Sequence, residues 1–402
     1  MKNLLFIISF VFLFSNFVAQ TCVPDSLQTI ITRASQTDAN ISWELKQHYS
    51  YFNPTCVSRN TLLLHLGGSY GKPGNYQLFP ELAGNNGFHV INVHYPNNTA
   101  SKTACGTSTD SACFIKFRKE ILEGIDYSTK VAVDTNNCIY NRVIKLLQHL
   151  HANFPSQNWN SFYSGNTINW NKVIVSGHSQ GGGHAAVIGL TKPVKRVIMF
   201  ASPNDYNNRL NIPAPWTQNP KTTADSLYYG FAHLNDEVVN SSEQFQIWSN
   251  LGMPIYGDTT NVDATSFPYS NSRQLYTQVS NSSASNHSIM ILDSDVPVVS
   301  GKPIFESEWK YLLGINNTTS IKEKENNFKF NIYPNPAQNQ LIIDSDFEYE
   351  NLIVQSASGA VLLTQSNISS VLNIDKLKPG VYYLTLINDD KRSTKKFIKL
   401  SK

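Results

Sequence analysis

Charged residues are scarce in this 402-residue chain, at 15% of the total. They nearly balance, since 32 Lys and Arg against 29 Asp and Glu leave a net charge of +3. So small an excess leaves no electrostatic footprint for a nucleic-acid partner. The 21 Gly and 18 Pro are too few for a collagen-like or Pro-rich low-complexity chain. A hydrophobic content of 41% excludes a wholly disordered one. Long apolar runs are missing except at the start, where Leu4 to Val18 follows Met1-Lys2-Asn3. That run is shorter than the ~20 residues that cross a bilayer. A basic start, a short apolar core and the small, polar exit Ala19-Gln20-Thr21 fit a secretory signal peptide over residues 1–20. Thr21 before Cys22 does not fit a lipoprotein signal. The mature chain is therefore expected to be secreted and to have no membrane span.

Cysteine is also sparse. The five residues are Cys22, Cys56, Cys105, Cys113 and Cys138. Outside the reducing cytosol they are disulfide candidates, and an odd count leaves at least one free. Cys105 and Cys113 face each other across a polar turn and are the easiest closure. Cys22 with Cys56 is a weaker second pair. Cys138 opens an expected helix and is the leftover thiol. None of the five has a recognisable nucleophile context.

From residue 21 to 316 apolar strands and amphipathic helices alternate, which predicts an α/β domain with a mostly parallel sheet and flanking helices. Residues 61–66, 88–95, 172–176 and 194–200 read as strands, and 112–125 and 181–190 as helices. Ile139, Val143, Leu146, Leu147 and Leu150 are spaced to share one helix face. Residues 317–327 are polar and aperiodic, as a linker is. Residues 328–402 consist of short alternating segments split by turns, which predicts a small all-β sandwich.

Gly177-His178-Ser179-Gln180-Gly181 is a G-x-S-x-G sequence with a strand before it and a helix after it. That is the setting of a nucleophile elbow, in which the turn pushes the serine hydroxyl out above the sheet. A second copy, Gly67-Gly68-Ser69-Tyr70-Gly71, runs into Lys72-Pro73-Gly74, which cannot start a helix there. Ser179 is therefore the nucleophile candidate. A serine needs a histidine base oriented by a carboxylate, in chain order Ser, Asp or Glu, His on such a fold. Downstream of Ser179 there are His184, His233 and His287. His184 lies inside the elbow helix, and His233 precedes the acid candidate too closely. His287, in a polar loop, is the expected base. Asp236 follows a strand-like run and is the expected acid, with Asp205 as rival and Glu237 adjacent. The oxyanion donors are expected to be the N–H of Gln180 and that of Gly68 or Ser69, at the end of an early strand. Trp216, in the polar and Pro-interrupted stretch after Asp205, is either substrate-facing or a buried structural residue.

At these residues the chain resembles the α/β-hydrolase superfamily over about 60–295: the His65-Leu66-Gly67-Gly68 loop, the GHSQGG elbow, a strand-end Asp and a late His. The resemblance implies hydrolysis of an ester, or less often an amide, through an acyl-serine intermediate, with no metal and no cofactor. The leading expectation is a secreted serine hydrolase acting as a carboxylic ester hydrolase on a small-molecule or polymeric ester. The alternatives are a secreted serine peptidase or amidase with the same triad, and a non-catalytic hydrolase-like binding protein. The last ~75 residues resemble the sorting domain of the type IX secretion system. The matching residues are Tyr333-Pro334-Asn335-Pro336, Ser358-Gly359, Leu377 and Pro379-Gly380-Val381-Tyr382, with six Lys or Arg and no acid from Lys391 to Lys402. This resemblance implies the secretion machinery as a partner.

Overall fold

The computed structural model describes residues 22–315, 330–345, 348–356, 361–366, 370–388 and 391–401. The expected signal peptide and linker, and Ser358-Gly359, lie outside the described residues. The chain divides into two compact units, Met1–Asn317 and Thr318–Lys402.

The first unit is built on a nine-stranded sheet. In chain order its strands are β1 (Gln28–Arg33), β2 (Gln47–Phe52), β3 (Leu62–Leu66), β4 (His89–Val93), β5 (Val173–His178), β6 (Arg196–Phe200), β7 (Tyr228–His233), β8 (Thr260–Asn261) and β9 (Gln274–Thr277). Their spatial order is β1-β2-β4-β3-β5-β6-β7-β9-β8. β1 and β2 pair antiparallel, as do β2 and β4, and every pairing from β4 to β8 is parallel. Besides a single helical turn at Ala34–Thr37, the α-helices are α1 (Leu78–Gly84), α2 (Ser101–Cys105), α3 (Cys113–Glu123), α4 (Ile139–Asn153), α5 (Gln180–Thr191), α6 (Ser241–Asn250) and α7 (Glu306–Leu313).

The central strands are apolar at nearly every position because helices cover both faces. Leu62, Leu64, Val173, Val175, Val197 and Met199 turn to one side, against α3, α4, α5 and α6. Leu63, Ile174, Ile198 and Phe200 turn to the other, against α1 and α7. On α4 the apolar stripe Ile139, Val143, Leu146, Leu147 and Leu150 is fully buried. Each such side chain contributes roughly 1.5–3 kcal/mol by leaving water. The chain passes from β3 outward to β4 and then returns to β5 on the other side of β3. In an open sheet of this kind ligands bind at the carboxyl ends of the strands where the order reverses. Here those are the ends of β3 and β5, where Leu66 registers with Gly177.

Two disulfides form, Cys22–Cys56 and Cys105–Cys113. Cys138 is free and buried, and its sulfur caps the start of α4 by accepting from the Asn141 N–H. Burial pushes its thiol above the ordinary range, which keeps it from ionising. No helix among the described residues is long and apolar enough to cross a membrane.

The second unit has two antiparallel sheets around one core. β10 (Phe330–Tyr333), β11 (Gln340–Ser345) and β14 (Val371–Asn373) form one sheet. β12 (Asn351–Ser356), β13 (Val361–Gln365), β15 (Gly380–Asn388) and β16 (Lys391–Lys399) form the other. Alternate residues point inward, among them Leu352, Val354, Leu384 and Leu386, and pack with Leu341, Leu372 and Phe397.

Candidate active site

Ser179 stands between β5 and α5 with φ 51° and ψ −117°, a conformation that a residue with a side chain adopts only under strain. Its N–H donates to the Phe200 carbonyl of β6 at 2.8 Å, which anchors the turn to the neighbouring strand. The flanking glycines are required by space. A Cβ on Gly177 would come within 2.3 Å of the Gly181 carbonyl carbon, and one on Gly181 within 2.1 Å of the Leu66 carbonyl oxygen. The strand, turn and helix therefore close tightly on the end of β3, and Ser179 is left half-buried at the surface of the turn.

The second glycine copy makes a loop and no helix. Asn97 holds it by donating from Nδ2 to the carbonyls of Gly68 at 2.8 Å and Gly71 at 2.9 Å. The Tyr95 hydroxyl donates to the Gly67 carbonyl at 2.7 Å. The Gly68 N–H donates to the Tyr76 hydroxyl at 3.1 Å, so this amide is already committed. Among the described residues no acceptor takes the Ser69 N–H. The Ser69 hydroxyl donates to Gln180 Oε1 at 2.9 Å and ties this loop to the elbow.

Asp236 lies in the turn after β7. Its Oδ1 accepts from the N–H groups of Val238 at 2.7 Å and Val239 at 2.8 Å, which fixes the carboxylate. Its Oδ2 accepts from His287 Nδ1 at 2.7 Å. That bond puts the ring proton on Nδ1 and leaves Nε2 as a proton acceptor. The Asp236 side chain is 1% exposed and that of His287 10%. Glu237 accepts from the Ser285 hydroxyl and braces the loop that carries His287. Asp293 ties the same loop to the start of α1, accepting from the N–H groups of Gln77 at 2.8 Å and Leu78 at 3.1 Å.

The remaining expected residues go elsewhere. His233 is buried; its Nδ1 accepts from the Asn235 N–H at 3.0 Å and its Nε2 meets the Ser280 hydroxyl at 3.2 Å. His184 is buried against the Tyr95 ring. Burial, with the nearby Arg118 charge, drives its pKa well below the ordinary range and keeps it neutral. Asp205 is fully buried and paired with fully buried Arg118, whose Nε donates to Oδ2 at 2.7 Å. Arg118 Nη1 also donates to the Gln180 carbonyl at 2.9 Å, which carries the pair into the elbow helix. Trp216 does not face the site. It is 2% exposed, and its indole N–H donates to Asp205 Oδ2 at 2.9 Å. The substrate-facing alternative for Trp216 thus gives way to the structural one, because a buried carboxylate needs every donor within reach.

His178, between Gly177 and Ser179, is a residue for which the motif offers no role. Burial, reinforced by His287, drives its pKa well below the ordinary range. The neutral ring donates from Nε2 to the His287 carbonyl at 3.0 Å and accepts at Nδ1 from the Tyr76 hydroxyl at 3.0 Å. Burial pushes the Tyr76 hydroxyl up to about 12, so it stays a donor. One chain of hydrogen bonds therefore runs from the Gly68 amide through Tyr76 and His178 to the backbone of His287. Ser69, Tyr76, Ser179, Gln180, Asn204 and His287 all border one cavity of about 330 Å³. Among the described residues no group of three or more His, Cys, Asp or Glu is arranged to hold a metal ion.

Of the comparisons with known proteins, the family model bears on the second unit. Among curated proteins none matches the chain. A solved structure of PorZ from Porphyromonas gingivalis, described as an essential surface component of the type-IX secretion system, matches 18% of this chain and 11% of its own at 14% identity, with a TM-score of 0.16. The family model of the secretion system C-terminal sorting domain matches residues 331–400, which span the strands from β10 to β16. That family gives the Tyr-Pro-Asn-Pro to Pro-Gly-Val-Tyr segment its identity: residues 331–400 are a type IX C-terminal sorting domain, and the protein is secreted or held at the cell surface.

Proposed function

We propose that residues 22–315 form an α/β-hydrolase-type domain that cleaves carboxylic esters through an acyl-serine intermediate. The observation that carries this reading is the 2.7 Å Asp236–His287 pair, with its ring proton on Nδ1, beside the same cavity as the strained Ser179. In the reaction Ser179 Oγ attacks the ester carbonyl carbon while His287 Nε2 takes the hydroxyl proton. Asp236 holds the ring in the working tautomer and stabilises the imidazolium. The oxyanion accepts from the N–H of Gln180 and that of Ser69, since Gly68 is engaged by Tyr76. Collapse expels the alkoxide, which leaves as the alcohol with the proton from His287. Water, deprotonated by His287, then releases the acid and frees Ser179. The sorting domain gives this chemistry its place, outside the cell or on its surface.

Ser179→Ala tests the reading. It should abolish ester turnover by about a million-fold, the scale seen when a triad nucleophile is lost, and leave the unfolding curve unchanged. Retention of more than about a tenth of the activity would remove Ser179 from its role.

A further inference from the structure

We infer, resting on the serine-hydrolase reading above, that the ester carries a short acyl group, acetyl or little larger, on a hydroxyl-rich alcohol such as a saccharide. The cavity beside Ser179 is about 330 Å³, at the lower end of ligand pockets, which run from about 300 to 1,000 Å³. Beside Ser179, His178 and His287, its polar wall is made by Ser69, Ser101, Lys102, Thr103, Gln180 and Asn204. The apolar members are Ala100, the Tyr76 ring and Val238, and Val238 is 57% exposed. A methylene gains about fourfold in binding only where it leaves water for an apolar surface. A long acyl chain finds no such trench here.

The cavity offers unmet hydrogen-bonding capacity instead. Gln180 Oε1 is used by the Ser69 hydroxyl and by the Ser101 N–H at 3.0 Å, while Gln180 Nε2 is buried and has no acceptor. Asn204 is 9% exposed, and among the described residues its side-chain amide has no partner. Gln180 Nε2 is shut off from the cavity, whereas the Asn204 amide opens onto it and can take a ligand oxygen in place of water. Sugar hydroxyls and a small acyl carbonyl supply such oxygens at short spacing.

The wall is also held in place. The Cys105–Cys113 disulfide joins α2 to α3. Lys102, on α2, donates to the Tyr206 carbonyl at 2.9 Å and pairs with Glu243 at 3.1 Å. With its N-terminal end hydrogen-bonded to Gln180, α2 resists moving aside for a longer chain.

The test uses the full chain with p-nitrophenyl acetate, butyrate, octanoate and palmitate, and with an acetylated xylo-oligosaccharide assayed for released acetate. Labelling of Ser179 by a fluorophosphonate is run alongside. The expected result is a kcat/KM that falls by about tenfold or more from acetate to octanoate, in place of a rise of about fourfold per methylene. Acetate should be released from the oligosaccharide, and Asn204→Ala should lower that reaction about fivefold, the worth of one neutral hydrogen bond. A rate that climbs to octanoate overturns the short-acyl assignment. Cleavage of p-nitrophenyl acetate without acetate release from the saccharide overturns the alcohol assignment. If Ser179 takes the phosphonate but no ester is cut, the substrate class fails and the nucleophile stands. If neither happens, the serine-hydrolase reading itself fails.

Discussion

Asp205→Asn should damage stability, where Asp236→Asn should damage catalysis. The side chains of Asp205 and Arg118 are both completely shielded from solvent. Asp205 accepts from Arg118 and from the Trp216 indole, and Arg118 continues to the Gln180 carbonyl. Asparagine keeps one acceptor oxygen but turns an NH₂ group toward donors, and it leaves the guanidinium buried without a countercharge. Removing one partner of a buried ion pair costs about 3–5 kcal/mol, a large part of the roughly 5–15 kcal/mol that holds a domain folded. At about 2–4 °C per kcal/mol for a domain of this order of size, the melting temperature should fall by roughly 6–20 °C. Thermal and urea unfolding followed by tryptophan fluorescence measures it. Well below its lowered melting point, Asp205→Asn should keep its kcat within about tenfold of the parent, while Asp236→Asn should lose about 10⁴ with little change in melting. The reasoning fails if Asp205→Asn melts within about 2 °C of the parent, or if its kcat falls as far as that of Asp236→Asn.

Acid should unfold the first unit through its interior histidines. Burial lowers His65 to about 3 and drives His48, His178 and His184 well below the ordinary range. The unfolded chain binds these protons below about pH 6.5 and the folded one does not, so stability is complete above that pH and is lost as the pH falls. Each histidine contributes about 1.4 kcal/mol per pH unit in that window, and the urea midpoint should drop steeply between about pH 6 and 4; a flat midpoint would contradict it. Tyr76→Phe strips a partner from both the Gly68 amide and His178, and should cost about 1–3 kcal/mol of stability. It should also lower kcat by about tenfold with a smaller change in KM, and an unchanged kcat would show that this hydrogen-bond chain does not position the base.

The elbow was legible because its chemistry is local. A serine forced to positive φ between a strand and a helix needs Gly177 and Gly181, and those glycines are visible in the chain. His287 and Asp236 followed from chain order and from elimination among three histidines. Which of the Gly68 and Ser69 amides is already hydrogen-bonded is not legible, since it depends on the Tyr76 hydroxyl arriving from another segment. Arg118 does not stand out in the sequence. Its one signal is a cation on the apolar face of α3, between Phe117 and Ile121, and nothing in the spacing says that its partner is Asp205. Trp216 was ambiguous for the same reason: an aromatic in a polar loop looks like a ligand contact until the buried carboxylate beneath it is seen. The strand and helix pattern carried further, because both faces of the sheet are covered and the apolar runs are correspondingly long.

The bridge between Cys105 and Cys113 makes the rim of the cavity answer to the redox state of its surroundings. It closes a short loop, with a sequence separation of 8, and such a closure is worth about 2–3 kcal/mol. In the reducing cytosol that contribution is absent, and α2 keeps only its non-covalent ties, through Lys102, Gln180 and Arg118 and the burial of Cys105. Oxidation on the way out of the cell then completes the rim of the cavity. Treatment of the secreted protein with dithiothreitol should undo that step, loosening α2 before it unfolds the sheet.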